Sequence, residues 1–297
     1  MYRCLRRVVH VGDGGMLVSS RELLYQAQET GSAVAQFNVW SCAMLFGVLD
    51  AIEAHNSPAI LATGPSFLPP RELTAFSVML LKTAESSTVP LSVHWDHAKR
   101  PEEIRTAREL GFTSAMIDGS QLPLWENLEL TLAAKKLLAG SGISLEGELG
   151  YIGEELGRDA DTYRGTTPED ALRYVKNTGA AALAVAIGNA HGAYNSPPRL
   201  RYDVLKQIRQ SVDVPLVLHG GSGIPDEGLR KAITLGIAKI NFHTELCQAA
   251  AAATTSGSYR AIFDAQRLAI AKKAEEKLLL TANEGKTSDD VLPDCCR

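Results

Sequence analysis

The sequence predicts a single (β/α)8 TIM barrel with a C-terminal helical extension. Short apolar runs alternate with amphipathic stretches eight times along the 297-residue chain. These runs are apolar on both faces, which is typical of buried parallel strands. Neither of the two common glycine-rich phosphate motifs follows the first run, which disfavours a doubly wound sheet.

The predicted strands are short and rich in Val, Ile, Leu and Ala. They span residues 33–39, 58–63, 90–96, 114–118, 144–149, 182–188, 215–220 and 237–242. Because all strands of such a barrel run parallel, their carboxyl ends meet at one mouth, where barrel enzymes build their sites.

The predicted helices fill the intervals between the strands, with Ser or Pro often at their starts and Gly near their ends. They span residues 41–55, 70–84, 101–110, 124–139, 168–178, 202–211 and 225–235, and a longer helix covers about 258–280. We expect one barrel domain at 16–281, opened by a helix near Ser19. A disordered extension or transit peptide at 1–15 and a disordered polar tail at 282–297 flank it.

Composition and charge disfavour several classes of partner. The chain is 45% apolar and carries a formal net charge of -4, so nothing attracts it generally to nucleic acid or anionic membrane. The sequence contains no apolar run long enough to span a bilayer. The five cysteines are odd in number and lack a repeated spacing, which favours a reducing compartment, the cytoplasm, over a disulfide framework.

Histidines concentrate at one end of the predicted barrel. Four of the seven lie at or just past the ends of strands three, six, seven and eight: His97, His191, His219 and His243. Converging imidazoles favour a zinc site with an open position, and we assign His97, His191 and His219 as its ligands. Each histidine alone is equally compatible with a polar loop residue. The role of His243 stays open between metal, phosphate and solvent.

Carboxylates lie along the same edge, at Asp96, Asp118, Glu146 and Glu148. One of them can act as a general acid or base, while another holds a cation or orients a histidine. Asp118 and Glu146 are also compatible with an ion pair or a helix cap. Asp96 directly precedes a proposed ligand, so we expect its carboxylate to reach a substrate hydroxyl bound to the same metal.

Two turns and one long loop complete the predicted mouth. The glycine-rich turn Gly220–Gly223 follows strand seven, and Asn241–Thr244 ends strand eight just before a helix. Loops after these two strands commonly bind phosphate through backbone N–H groups and a helix N-terminus. Residues 150–167 form a long polar loop that either closes over substrate, with Glu154 or Glu155 carrying a proton, or is simply solvated.

Seven segments follow one another in a recognisable order: AQFNVW, VHWDHA, SAMIDGS, LEGELGYIG, AVAIGNAHGAY, PLVLHGGSGIPD and KINFHTEL. In this order and spacing they resemble the class II, zinc-dependent fructose-bisphosphate and tagatose-bisphosphate aldolases. The resemblance runs from about Met16 to about Lys277.

The resemblance implies a lyase of carbohydrate metabolism, such as glycolysis, that cleaves a ketose 1,6-bisphosphate to dihydroxyacetone phosphate and an aldehyde. It implies that the three assigned histidines hold the zinc and that a second metal ion or a monovalent cation can bind as well. It implies further that Asp96 exchanges a proton with the hydroxyl on the carbon that becomes the aldehyde. It also implies a homodimer or homotetramer. The segments that would hold the dihydroxyacetone phosphate half are Gly192, Gly220, Gly221, Ser222, Asn241, Phe242, His243 and Thr244, and Asp118 and Glu148 match a second metal position.

Three departures from the family pattern lie near the mouth. Trp95 replaces a usual Leu, His243 stands where a small residue is common, and the loop from Tyr151 has one glycine fewer. They leave the identity of the aldehyde half open. A catalytically degenerate sugar-phosphate-binding barrel, or the partner subunit of an aldolase assembly, is the alternative function. A metal-dependent isomerase is a third possible function. The other known aldolase mechanism, through a Schiff-base lysine, would need Lys239, which we interpret as structural.

Overall fold

The computed structural model describes residues 16–150, 165–192, 194, 198–254 and 256–282. The predicted extension at 1–15 and nearly all of the predicted tail lie outside these ranges, so the domain boundaries remain predictions. No helix within the described ranges has the length and apolar character needed to cross a membrane.

Eight parallel strands close into one barrel, and each strand pairs with its neighbours in chain order. Closure comes from β1 pairing with β8, where Gln36 lies opposite Asn241. The strands are β1 Val34–Asn38, β2 Ala59–Thr63, β3 Leu91–Ala98, β4 Ser114–Ile117, β5 Ser144–Leu149, β6 Ala182–Val185, β7 Leu216–Leu218 and β8 Ile237–Phe242. The predicted TIM barrel is confirmed.

Ten helices occur in the described part of the chain. They are α1 Ser20–Thr30, α2 Cys42–His55, α3 Pro70–Glu85, α4 Pro101–Leu110, α5 Leu124–Leu137, α6 Pro168–Thr178, α7 Tyr202–Ser211, α8 Asp226–Thr234, α9 Thr244–Ala252 and α10 Tyr259–Thr281. Their ends follow the expected chemistry, as α6 shows: the Thr167 side chain accepts a hydrogen bond from the Asp170 amide, and Gly179 ends the helix in a left-handed conformation.

Helix α1 closes the amino-terminal end of the barrel. Its Ser20 hydroxyl hydrogen bonds with the hydroxyls of Ser114 and Ser144, at 2.8 and 2.7 Å, at the starts of β4 and β5. Apolar residues of α1 and the segment before it cluster with buried strand residues that include Ile60 and Val217. This end is therefore sealed, which leaves the carboxyl ends of the strands as the open mouth.

The C-terminal helix α10 packs against α2. The Arg267 guanidinium donates two hydrogen bonds to the Asp50 carboxylate, at 2.6 and 2.5 Å. The helices approach closely at Gly47, where a Cβ atom would lie 2.6 Å from the Arg267 carbonyl oxygen. The predicted helical extension is thus part of the helical layer around the barrel.

Candidate active site

Three histidine rings converge at the open mouth. His97 comes from β3, His191 from the loop after β6, and His219 from the residue after β7. Nδ1 of His219 lies 3.1 Å from Nε2 of His97 and 3.4 Å from Nε2 of His191. The rings are steeply inclined to one another, at 73° to 90°. Three ring nitrogens therefore face one small volume.

This arrangement fits a zinc ion. Nitrogens in tetrahedral coordination about 2.0–2.1 Å from zinc lie about 3.3 Å apart, which agrees with the two separations that involve His219. The three candidate ligand atoms all lie within 4.8 Å of one another. Three protein ligands would leave a fourth position for substrate or water, as catalytic zinc sites do.

An irregularity in β3 turns His97 toward this volume. The pairing register with β4 shifts between Trp95 and Ala98, and His97 has a φ of 51°. A bulge of this kind redirects a side chain within a strand. The sequence predicted that strand three ends at residue 96. The strand instead continues through Ala98, because the bulge lets it resume pairing with β4.

Asp118 fixes the other nitrogen of His97. Its carboxylate accepts a hydrogen bond from Nδ1 of His97 at 2.9 Å, which leaves Nε2 for the shared volume. The same carboxylate accepts from the amide and the hydroxyl of Ser120 and pairs with Lys99. Burial favours a lower pKa of His97, but the negative charges of Asp96, Asp118 and Glu148 raise it to about 9. The surplus of carboxylates gives the site an affinity for positive charge.

A buried ion pair orients His219 from below. Oε1 of Glu146 lies 3.0 Å from Nε2 of His219, and Oε2 of the same carboxylate accepts from Nζ of Lys239 at 2.6 Å. Burial favours a higher pKa of Glu146, yet Lys239 and His219 hold it at about 2. Glu146 thus forms an ion pair and also directs Nδ1 of His219 upward. Lys239 is fully buried in that pair, which supports a structural role rather than a Schiff base.

Asp96 lies beside the histidines in the wall of the cavity. Its Oδ2 accepts a hydrogen bond from the Asn38 amide at 2.5 Å, and its buried Oδ1 lies 3.6 Å from Nε2 of His94, without a hydrogen bond among the described residues. Burial favours a higher pKa of Asp96, but the charge of His97 and a contact with His94 hold the pKa well below its usual range. The carboxylate is therefore ionised and faces the cavity at the mouth.

A second group of potential metal ligands shares His97. It consists of His97, Asp118 and Glu148, whose ligand atoms also lie within 4.8 Å of one another. Oε2 of Glu148 has no hydrogen-bond partner among the described residues and lies 3.7 Å from Nδ1 of His219. Burial and the charge of Asp118 raise the pKa of Glu148 to about 8.

The predicted phosphate segments border the same cavity, which has a volume of about 520 Å³. Six of the eight residues assigned to the substrate line it: Gly192, Gly220, Ser222, Asn241, His243 and Thr244. The other two face elsewhere. The Gly221 amide donates to the Asn241 carbonyl, and the Phe242 ring is buried with its centroid 6.1 Å from that of Phe37.

The start of α9 faces this cavity. The Ser222 hydroxyl accepts hydrogen bonds from the amides of His243 and Glu245, which ties the loop after β7 to this helix. Thr244, the first residue of α9, lines the cavity. A helix N-terminus favours anions because its first N–H groups lack intrahelical partners.

Six further residues, which were not predicted from the sequence, also line the cavity: Asn38, Ser66, Phe67, Lys99, Ser120 and Gln121. Asn38 could have been found, since it is a polar residue that ends the first strand of a barrel. The others lie in loops, where the sequence alone gives no direction for a side chain. Glu154 and Glu155, assigned as loop proton carriers, lie outside the described residues.

Comparisons with known proteins identify the family. The sequence profile described as "Fructose-bisphosphate aldolase class-II" matches residues 18–286. The YdjI protein of Escherichia coli K12 is 42% identical over 276 residues, which cover 91% of this chain and 99% of that protein.

Solved structures agree with this relationship. The YdjI aldolase structure from Escherichia coli K12 has a TM-score of 0.83 at 40% identity, covering 92% of this chain and 100% of that one. A putative fructose-1,6-bisphosphate aldolase from Coccidioides immitis has a TM-score of 0.78 at 29% identity, over 88% of this chain and 96% of that one. The fructose-bisphosphate aldolase of Campylobacter jejuni, at 23% identity and a TM-score of 0.76, shares the fold over 90% of this chain and 96% of its own. The chain belongs to the class II fructose-bisphosphate aldolase family and is a lyase of the aldolase type.

Proposed function

We propose that the protein is a zinc-dependent aldolase that reversibly cleaves a ketose 1,6-bisphosphate of the fructose or tagatose type. The products are dihydroxyacetone phosphate and an aldehyde. The observation that carries this proposal is the convergence of the ring nitrogens of His97, His191 and His219 beside the Asp96 carboxylate in the cavity wall. A module that only binds sugar phosphate needs no such acid beside a metal position.

The three histidines would hold the zinc, each through one defined nitrogen. Asp118 and Glu146 fix the opposite nitrogens of His97 and His219, so both rings are preorganised for metal. Bound zinc would supply a Lewis acid that stabilises negative charge on the ketose fragment when the carbon–carbon bond breaks.

Asp96 would move the proton of the hydroxyl on the carbon that becomes the aldehyde. In cleavage its carboxylate accepts that proton, and in condensation it returns the proton to the new hydroxyl. Two features support this role: the carboxylate is ionised before the reaction, and the Asn38 amide holds it in place.

The phosphate of the dihydroxyacetone phosphate half would bind between the loops after β7 and β8. Ser222 and Thr244 supply hydroxyls there, and the Thr244 amide at the start of α9 supplies a backbone N–H group. The Asn241 side-chain oxygen is buried without a hydrogen-bond partner among the described residues, so it is available to a substrate hydroxyl.

Three further assignments complete the proposal. Asp118 and Glu148 would form a second cation position. Glu154 or Glu155 would carry the proton exchanged at the ketose fragment. Family membership supports a homodimer or homotetramer, and the free thiols of Cys42 and Cys247 support a cytoplasmic location.

A coupled cleavage assay tests the proposal. Fructose, tagatose and sedoheptulose bisphosphates are each supplied to the protein as purified, after chelator treatment, and after zinc is restored. We expect turnover of at least one ketose, its loss with chelator and its recovery with zinc. A degenerate binding barrel would bind sugar phosphate but cleave none of the three under any condition.

A further inference from the structure

His243 places a bulky ring in the wall of the cavity. It lies between β8 and α9 and lines the cavity together with Phe67, whose ring centroid is 4.9 Å away. On its other side, Nε1 of Trp40 donates a hydrogen bond to Nε2 of His243 at 3.1 Å. Trp40 follows β1 and Phe67 follows β2, so contacts from two other loops fix the ring.

The contact with Trp40 determines the protonation of this ring. An indole N–H can only donate, so Nε2 of His243 must be the acceptor and carry no proton. The Cys247 thiol lies 3.3 Å from the same nitrogen. Burial lowers the pKa of His243, which agrees with a neutral ring. The single ring proton therefore resides on Nδ1, which has no hydrogen-bond partner among the described residues.

The position of His243 relates it to one half of the substrate. The proposed zinc ligands come from β3 and from the loops after β6 and β7, and the proposed phosphate segments follow β7 and β8. The backbone of His243 belongs to the proposed phosphate segment, but its ring extends toward the loops after β1 and β2, where it contacts Trp40 and Phe67. Asn38, at the end of β1, also lines the cavity and holds Asp96. The ring therefore lies on the side of the cavity that adjoins Asp96, where the aldehyde half begins at the hydroxyl that Asp96 serves. Of the rest of the lining, Lys99, Ser120 and Gln121 follow β3 and β4.

We propose that His243 is a specificity-determining residue whose Nδ1–H donates a hydrogen bond to a hydroxyl of the aldehyde half. This inference rests on the proposed function and extends it to the aldehyde. A neutral donor suits an uncharged hydroxyl oxygen, and it lacks the positive charge that favours a phosphate. Trp40 acts through His243 as a positioning residue, because it keeps Nε2 occupied and the proton on Nδ1.

Condensation of dihydroxyacetone phosphate with two aldehydes tests this proposal. Glyceraldehyde offers hydroxyls beyond the reacting carbon, whereas propionaldehyde has the same carbon chain and none. The measured quantity is the ratio of kcat/KM for glyceraldehyde to kcat/KM for propionaldehyde. We expect His243→Ala to lower this ratio about tenfold, because the lost hydrogen bond exists with only one of the two aldehydes.

Two further variants separate a hydrogen bond from a packing role. His243→Asn places an amide N–H near the former Nδ1, so it should recover most of the ratio that His243→Ala loses. Trp40→Phe keeps an aromatic ring but removes the N–H that fixes the tautomer, so it should lower the ratio in part. The matched control is His55→Ala, at the end of α2, whose ring contacts Glu275 and lies outside the cavity lining.

Solvent exchange of the carbon-bound proton of dihydroxyacetone phosphate, measured without any aldehyde, separates the two proposals. If the wild-type protein shows no zinc-dependent exchange, the proposed function fails. If exchange occurs but His243→Ala lowers kcat/KM for both aldehydes equally, or for neither, the assignment of His243 is overturned. Unchanged zinc content in His243→Ala is expected, since the ring is not a proposed ligand.

Discussion

Nδ1 of His219 lies 3.1 Å from Nε2 of His97, although 122 residues separate the two histidines in the chain. Each ring is fixed from its far side by a buried carboxylate, Glu146 for His219 and Asp118 for His97. These contacts hold the two ring nitrogens, Nδ1 of His219 and Nε2 of His97, close to each other. We propose that a divalent cation lies between them, and the following predictions depend on it.

Removing one ligand should remove the metal. We expect His219→Ala to weaken zinc binding by more than about 100-fold, since losing even an outer partner of a ligand costs 10–100-fold. Cleavage should fall with it. Zinc content after dialysis and the cleavage rate are measured together, with His55→Ala as the control that keeps both. Full zinc occupancy in His219→Ala would mean that the wrong ligand was assigned.

Removing the proposed proton carrier should separate metal binding from chemistry. We expect Asp96→Ala to retain zinc but to cleave about 10²-fold more slowly or worse, because general acid–base help is lost. The control is Asp50→Ala, which breaks the surface pair with Arg267 and should leave cleavage unchanged. Normal turnover by Asp96→Ala would refute its role.

Two neighbouring glutamates should respond to pH in different ways. The pKa of Glu148 is raised from 4.5 to about 8 in the folded protein. Its contribution to stability is therefore complete below pH 4.5 and is lost as the pH rises through 8. Gln resembles the protonated acid and does not titrate. In the absence of metal, the stability of Glu148→Gln relative to wild type should therefore increase as the pH rises from 5 to 9. Tm measured in chelator across this range checks the trend.

Glu146→Gln is the matched comparison. The pKa of Glu146 is lowered from 4.5 to about 2, so its contribution is present above pH 4.5 and is lost only as the pH falls through 2. The variant leaves Lys239 buried without its partner, at a cost of about 3–5 kcal/mol. The difference in Tm between this variant and wild type should therefore change little from pH 5 to pH 9. Parallel curves for the two variants would contradict both assignments.

The backbone at Gly220 should tolerate no side chain. Its φ is 65°, and a Cβ atom there would lie 1.8 Å from the carbonyl oxygen of Ala190, next to His191. We expect Gly220→Ala to displace that loop and to weaken zinc binding about tenfold or more. Gly111→Ala is the control, since Gly111 also has a positive φ but no atom near its Cβ position. Zinc titration of both variants gives the comparison, and equal affinities would contradict this account.

The eight strands could be predicted because each is short, mostly apolar and buried on both faces. Residues 144–149 and 237–242 form strands with the predicted ends. The assignment of His97, His191 and His219 to one mouth followed from the rule that parallel barrel strands end together. Periodicity and barrel geometry therefore suffice to bring distant residues to the same edge.

Details that depend on contacts across the closed barrel could not be predicted. The bulge that redirects His97 arises from pairing between β3 and β4, and no residue type in VHWDHA requires it. The hydrogen bond from Trp40 to His243 spans 203 residues and exists only because β1 pairs with β8. For Glu146, ion pair and functional role were alternatives in the sequence, whereas the folded protein combines both contacts in one carboxylate.

The central claim is that three histidines share one metal ion. Anomalous scattering from crystals of the zinc-loaded protein, recorded on both sides of the zinc absorption edge, tests it most directly. We predict a peak about 2.0–2.1 Å from Nε2 of His97, Nε2 of His191 and Nδ1 of His219. A fully active crystal form without a peak among these nitrogens, or with zinc bound only elsewhere, would contradict the account.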